Sequence, residues 1–373
     1  MKIIEIALVA FALFYLQGFV YRKLWDRHLK ASVYFNKIGI TEGEEGEVIE
    51  VIENRKFLPL IWLKVSFQTD KNLGFLDDLG SKTTDQYYRN DIFQVGGGEK
   101  VTRRLTFTGK KRGYYHIKNI DLMASDLFLL NRNVKKMNTE SYLYVYPKCF
   151  TSERFALSLQ KLNGEILVKR HLLEDPFEYR GVREYQPYDD IRSINWKATA
   201  RTGELKVNQR NYTAMQTIRI FVNLWDAGIL KHDKEIEASM QIAVGIASFF
   251  LSQGIKVSLY ANGSDIITGE HLELTGGAAS AQLEAIGKAL ARVDTEKEAK
   301  DFELLFRERI LDSKDSFFTF FVSPSKQEDY VQLLHECKER NMSFCWYYPG
   351  MYYNMPSIPE GLEEHVEQIP LEQ

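Results

Sequence analysis

Thr217-Ile218-Arg219-Ile220-Phe221-Val222-Asn223-Leu224-Trp225 is the stretch on which the fold turns. It is a near-continuous apolar run. A strand packed on one face alternates apolar and polar residues, whereas a strand covered on both faces does not. The run therefore predicts a strand inside a parallel sheet with helices on either side.

The sequence downstream agrees. Lys234 to Leu251 repeats Ile236, Met240, Ala243, Val244, Ala247 and Phe250 at helical spacing, and Gln253-Gly254 closes it. Lys256–Ala261 reads as a strand, Ala279–Val293 as a helix, Phe317–Val322 as a strand, Gln327–Arg340 as a helix and Ser343–Tyr348 as a strand. Strand and helix in alternation predict an α/β domain over residues 216–350. The Pro- and Glu-rich tail, 351–373, is expected to be irregular.

Upstream the rhythm differs. Val48–Glu53, Leu60–Phe67, Val101–Phe107, Tyr114–Ile117 and Tyr142–Tyr146 are short runs rich in β-branched and aromatic residues, separated by turn formers. They predict an antiparallel β-sandwich over residues 33–150. Gly96-Gly97-Gly98 lacks the Lys-Ser/Thr and the strand-to-helix setting of a phosphate loop. Lys161–Arg170 mixes Lys161, Glu165, Lys169 and Arg170 and is expected to be a solvated amphipathic linker.

At the N-terminus, Ile3–Val20 is a mostly apolar run, with Glu5 near its outer end where it can reach the interface, that would rise about 27 Å as a helix, close to the ~30 Å of a bilayer's hydrocarbon. No small-x-small site comes after it, so an uncleaved anchor is expected rather than a signal peptide. Tyr15, Tyr21 and Trp25 would suit the interfacial aromatic belt. Arg22, Lys23, Arg27 and Lys30 lie just beyond, against Lys2 on the other side. The positive-inside rule places the chain beyond Lys30 in the cytoplasm. Residues 1–30 are thus expected to be a single-pass anchor with its basic flank.

Composition narrows the classes. A net charge of −3 gives no global electrostatic case for nucleic acid. The three cysteines, Cys149, Cys337 and Cys345, are too few for a disulfide framework and suit a reducing compartment. The seven histidines show no ligand spacing, and no serine sits in a Gly-x-Ser-x-Gly turn.

Between sandwich and α/β domain, residues 151–215 hold Gly181-Val182-Arg183-Glu184-Tyr185-Gln186-Pro187-Tyr188-Asp189-Asp190-Ile191-Arg192-Ser193-Ile194-Asn195-Trp196-Lys197-Ala198-Thr199-Ala200-Arg201. A helix is expected after Pro187, capped by Asp189 or Asp190, with Ile191, Ile194 and Ala198 on one face and a stop at Thr202-Gly203. Lys197 and Arg201 would repel at i,i+4, so Glu184 and Asp190 are their candidate partners. Arg183 and Arg192 can make two-pronged bonds to carboxylates. Three roles are open: a salt-bridge lock anchored by a buried Trp196, a docking face for a protein partner, and an anion-binding or catalytic cluster.

This stretch resembles the hallmark of the bacterial domain-of-unknown-function family 58, G-x-R-E-Y-x-x-x-D-D-x-R-x-I-x-W-K-x-x-A-R. Gly181, Arg183, Glu184, Tyr185, Asp189, Asp190, Arg192, Ile194, Trp196, Lys197, Ala200 and Arg201 match it. Arg112-Gly113-Tyr114-Tyr115 and Asp126-Leu127-Phe128 add to the likeness, although relatives tend to read Asp-Pro-Phe-Gly-Leu at the latter. The resemblance implies membrane helices, an immunoglobulin-like middle and a von Willebrand factor type A-like α/β domain. Relatives commonly carry two N-terminal helices, and one is visible here. It also implies partnership with a MoxR-type AAA+ ATPase.

Active type A domains hold Mg²⁺ through Asp-x-Ser-x-Ser after the first strand. The corresponding run is Asp226-Ala227-Gly228-Ile229-Leu230, where Asp226 survives as a remnant and both hydroxyl residues are replaced. Ser323 comes after the later strand, where a carboxylate would be needed. Neither a metal site nor a cofactor is expected. The function expected is that of a membrane-anchored, non-enzymatic interaction protein. Its candidate binding residues are Arg183, Glu184, Tyr185, Asp189, Asp190, Arg192, Trp196, Lys197 and Arg201. The rival is a metal- or anion-dependent enzyme using Asp226 with the hallmark cations.

Overall fold

A computed structural model describes residues 2–77, 81–83, 86–172, 174–187, 189–212, 217–225, 232–277, 280–311, 317–352, 355 and 357–371. The chain folds into two compact units, Met1–Lys148 with Gly287–Arg292, and Cys149–Ile286 with Val293–Gln373.

In the first unit, helix α1 (Lys2–Leu24) precedes β1 (Leu29–Phe35), β2 (Gly39–Thr41), β3 (Glu45–Asn54), β4 (Leu60–Asp70) and β5 (Leu73–Phe75). Then come β6 (Ser81–Thr83), β7 (Gln86–Val95), β8 (Lys100–Gly109), β9 (Gly113–Ser125) and β10 (Arg132–Tyr146). They form two sheets, β1-β3-β8-β5 and β2-β10-β9-β4-β7-β6. Pairing is antiparallel except for β2 on β10. The period-2 logic is plain in β7, where Tyr87, Arg89, Asp91, Phe93 and Val95 are buried and Gln86, Tyr88, Ile92 and Gln94 are exposed. Val48, Leu63, Phe67, Phe107, Ile120 and Val145 fill the core between the sheets.

Two expectations need correction here. The sandwich starts at Leu29 rather than residue 33. Tyr21 and Trp25 are not interfacial residues but members of the sandwich core, 2% and 6% exposed. The helix runs past its apolar segment, and its last turns lie on the sandwich, with Tyr21 Oη donating to the Pro59 carbonyl at 2.8 Å. Most of the rest of α1 is exposed, and it is long and apolar enough to cross a membrane.

The second unit opens with α2 (Glu153–Leu172), β11 (Glu174–Glu184), α3 (Trp196–Thr202) and β12 (Lys206–Tyr212). It continues with β13 (Thr217–Val222), α4 (Asp233–Ser252), β14 (Val257–Asp265), β15 (His271–Gly277), α5 (Ser280–Ala291), whose residues from Gly287 belong to the first unit, and β16 (Val293–Asp294). The last elements are α6 (Phe302–Leu311), β17 (Phe317–Val322), α7 (Glu328–Glu339), β18 (Ser343–Met351) and β19 (Val366–Leu371). The main sheet is ordered β15-β14-β13-β17-β18-β19. Neighbours from β14 to β19 are parallel, and β15 is an antiparallel edge.

β13 is central and buried on both faces, as its apolar run requires. On one face, Phe320 and Tyr347 meet α4 through Phe250 and α2 through Phe155, at ring separations of 5.4 and 5.3 Å. On the other, Phe221, Phe321 and Trp346 pack with Phe302 and Phe306 of α6 and Tyr330 and Leu334 of α7. Arg219 survives inside this sheet because its guanidinium donates to the Arg309 carbonyl and Thr319 Oγ1, 2.7 and 3.3 Å, and lies 4.1 Å over the Phe317 ring.

The Lys161–Arg170 segment is not a free linker. It lies in α2, whose Phe155, Leu159 and Ile166 are buried and whose Ser158 hydroxyl bonds Tyr347 Oη at 2.8 Å. Nor is the tail wholly irregular. β19 extends the parallel sheet beyond Pro349, with Ile369 2% exposed.

Candidate functional site

The Gly181–Arg201 stretch is organised by a separate two-stranded sheet, β11 against β12. Val182 pairs with Asn208, Arg183 with Val207 and Glu184 with Lys206. The excursion between the strands is not the single helix expected. Ile191–Ser193 forms one 3₁₀ turn, capped by Asp190, whose carboxylate accepts from the Arg192 amide at 3.0 Å. Ile194 then bridges to Val207, and the Asn195 amide donates to the Lys206 carbonyl at 2.8 Å. That return to the strand breaks the helical period and leaves Ile194 buried while Ile191 is 68% exposed.

α3 starts afresh after the break. Its N-cap is Asn195, accepting from the Ala198 amide at 2.9 Å, and neither aspartate caps it. Asn195 Nδ2 also donates to Asn208 Oδ1 at 2.7 Å, tying cap to strand. Gly203 ends the helix at a φ of 76°, the left-handed geometry in which a Cβ is strained, as Thr202-Gly203 predicts.

Charges in the stretch divide into two groups. Arg183 grips Asp189 with both terminal nitrogens at 2.6 Å, and Asp189 also accepts from the Gln186 amide at 2.8 Å. The Arg183 bond holds the Asp189 carboxyl below the usual range. This fork closes the Glu184–Asp189 loop on itself. Glu184 pairs with Lys206 at 3.3 Å, not with Lys197 or Arg201. Arg192, Lys197 and Arg201 form the second group, at least partly exposed and in no ion pair among the described residues.

Trp196, expected to anchor a buried lock if the stretch were structural, is 65% exposed. Ile191, Val182 and Leu205 are also exposed, at 68%, 38% and 44%. Tyr185 is half-buried and Asp190 exposed, and Tyr188 lies outside the described residues. The hairpin therefore carries a bidentate pair that shapes it, together with outward apolar and cationic side chains. Asn195 and Lys206 take part without having been singled out from sequence. An Asn directly before a helical run was the available signal for the former.

The carboxyl edge of the main sheet is where an α/β domain with this strand reversal between β13 and β17 would hold a ligand. Asp226 and the run to Leu230 lie outside the described residues. Neutral side chains meet at the described part of that edge. Asn262 Nδ2 donates to Asn223 Oδ1 and the Lys300 carbonyl, 2.9 and 2.8 Å, and Asn262 Oδ1 accepts from the Leu224 amide at 2.8 Å. Ser323 is buried and accepts from the Ser325 amide at 3.1 Å. No cluster of His, Cys, Asp and Glu able to hold a metal occurs among the described residues. Cys337 is buried, and burial pushes its thiol up to about 12, so it is not a poised nucleophile.

The profile of the family described as "Protein of unknown function DUF58" matches residues 181–270, from the first glycine of the stretch to the residue before β15. The resemblance carried by Gly181–Arg201 thus has support beyond the motif itself. Among curated proteins nothing matches this chain. Solved structures with partial similarity include a non-cellulosomal cohesin from Archaeoglobus fulgidus, 14% identical, covering 31% of this chain and 91% of that one at a TM-score of 0.23. A CARDB domain from Pyrococcus furiosus, solved with di-metal ions, is 14% identical and covers 31% and 93% at 0.20. A sporulation control protein from Bacillus subtilis is 10% identical and covers 43% and 58% at 0.19.

Proposed function

We propose that this chain is a membrane-anchored, non-enzymatic interaction protein that recruits a protein partner through the β11–β12 hairpin. The observation that carries the proposal is the exposure of Trp196, Ile191 and Arg192 on the segment between β11 and β12, just after the loop that Arg183 and Asp189 hold in shape. Exposed Trp and Arg on a preorganised scaffold are the usual anchors of protein interfaces. Arg192, Lys197 and Arg201 add a cationic rim, so the complementary partner surface is acidic around an apolar pocket.

α1 supports the anchoring half of the proposal, and the cations just after it favour a cytoplasmic body. The strand order β15-β14-β13-β17-β18-β19, parallel apart from its edge, supports a von Willebrand factor type A-like second unit. The family resemblance makes a MoxR-type AAA+ ATPase the first partner to test.

Trp196→Ala and Arg192→Ala test the proposal because both side chains are exposed and the fold should survive their loss. Each is expected to weaken binding of a purified MoxR-type ATPase, or of a partner identified by crosslinking in membranes, by about 2 kcal/mol or more, roughly thirtyfold. Unchanged partner binding in both variants, with the fold intact by circular dichroism, would remove the hairpin as the docking face.

A further inference from the structure

The turn between β9 and β10 points Leu127, Phe128, Leu129 and Leu130 outward, at 44%, 57%, 54% and 64% exposure. A contiguous apolar patch of this kind marks a surface that water does not normally cover. The turn is nevertheless firmly built. Asp126 is buried, and its carboxylate accepts from the Leu130 amide at 2.9 Å and from Asn131 Nδ2 at 2.6 Å. The Leu129 amide bonds the Asp126 carbonyl at 3.1 Å, and the Asp126 amide bonds the Asn131 carbonyl at 3.2 Å. Leu129 itself takes a φ of 59°, a left-handed conformation that leucine rarely adopts. The backbone is thus bent, and its Asp126, Leu129 and Leu130 amides are paired, in a way that turns four apolar side chains out.

α1 runs beside this turn. Phe14, Gln17, Gly18, Tyr21 and Trp25 recur at helical spacing on one face of the helix. The Phe14 and Phe128 rings are 5.2 Å apart, and Gln17 Nε2 reaches Asp126 Oδ2 at 3.5 Å. A Cβ on Gly18 would stand 3.2 Å from Asn131 Nδ2, so the absence of a side chain there permits the close approach. Away from the turn, Phe11, one step further up this face, and Leu13, Leu16 and Phe19 are more than half exposed.

Depth can be read from helical rise. Between Lys2 and Phe14 the apolar run Ile3–Leu13 rises about 17 Å, roughly half of the ~30 Å hydrocarbon core. A crossing helix needs Phe14–Val20 in the hydrocarbon as well, and the β9–β10 turn flanks those residues. Phe57, 97% exposed beside Arg55 and Lys56, sits in the loop whose Pro59 carbonyl receives Tyr21 Oη, nearer the helix end. An aromatic next to cations at that level suits the headgroup region.

We infer that the β9–β10 turn is a membrane-dipping hairpin whose Leu127–Leu130 enter the acyl region alongside α1, making lipid the occupant of this patch. The inference rests on α1 being a span. Pairing of the Asp126, Leu129 and Leu130 amides lowers what this non-helical turn loses on leaving water.

The test uses the full chain in phosphatidylcholine vesicles, with an environment-sensitive fluorophore on Leu130→Cys or, separately, on Leu8→Cys of α1. Both are made with Cys149→Ser, because Cys337 and Cys345 are buried and the unmodified background serves as the labelling control. Quenching of both labels by doxyl groups on acyl chains, with protection from aqueous iodide, is the expected result. A Leu8 label quenched by lipid alongside a Leu130 label quenched by iodide would overturn the hairpin and leave the span standing. A Leu130 label shielded from both quenchers would replace lipid with a second copy of the chain and overturn the inference. A Leu8 label open to iodide would overturn the span, and the hairpin with it.

Discussion

Glu50 lies on β3 with no exposure, and neither carboxylate oxygen has a hydrogen-bond donor among the described residues. Asp91, Arg89 and Arg103 are its charged neighbours, with Arg89 and Arg103 both bonded to Asp91 at 2.6 Å. Burial first, and the Asp91 charge second, push Glu50 up to about 8. The folded state therefore keeps a proton that the unfolded chain releases near pH 4.5. The stability linked to that proton is fully present below about pH 4.5 and is lost as pH rises through 8. Glu50→Gln keeps the shape without the charge. It should raise the melting temperature at pH ~9, flatten the decline between pH ~5 and ~9, and recover on the order of 3–5 kcal/mol at the alkaline end. Equal effects at the acid and alkaline ends would show that Glu50 does not titrate in that window. A second residue-scale expectation concerns Asn195, which caps α3 and holds Asn208. Asn195→Ala should cost about 1 kcal/mol of local stability, seen as faster hydrogen exchange at the Ala198 amide, with protection in the main sheet unchanged.

The elements of this chain depend on faces that are assigned only in context. α1 is apolar nearly all round in its first half, yet Tyr21 and Trp25 near and just past its end belong to the sandwich core. Trp25→Ala should therefore cost about 3–5 kcal/mol of sandwich stability, measured by denaturant unfolding in detergent. A loss below about 1 kcal/mol would return Trp25 to a peripheral position. β19 has the converse role at the other end. It is the outer parallel neighbour of β18, from Trp346↔Val366 to Met351↔Leu371. Ending the chain before Val366 would bare the β18 edge and uncover the ground under Ile369, so a soluble fragment truncated there should aggregate where the longer one stays monodisperse. A truncated fragment as stable and soluble as the longer one would show that the sheet closes at β18.

For the whole molecule, the proposed anchoring through α1 predicts the behaviour of an integral membrane protein. A high-salt or alkaline wash should leave the chain in the membrane fraction, and detergent should release it, since apolar burial in lipid is insensitive to ionic strength. Release by salt alone would mean that α1 lies on another protein rather than across a bilayer. The broad layout behind this behaviour is legible in the residues: the short β-branched and aromatic run Leu60–Phe67 within β4, the continuous run of β13 and the helical spacing of α4 each predict their element, because burial on one face, on two faces or on a stripe leaves a different pattern. Gly203 and Gly254 mark helix ends for the same local reason, at φ values of 76° and 74°. Other features were hidden because they depend on partners distant in sequence. The Ile194–Val207 bridge overrides the helical spacing of Ile191, Ile194 and Ala198, and a composition rich in Pro and Glu conceals β19, whose hydrogen bonds lie on β18. The long apolar helix, the two kinds of sheet and the family resemblance thus follow from the residues alone, because all arise from local periodicity and residue type. That Trp196 faces outward, that Arg183 rather than Arg192 holds Asp189, and that Leu127–Leu130 stand beside α1 emerges once the chain is folded, because each depends on which surfaces distant segments cover and which they leave bare.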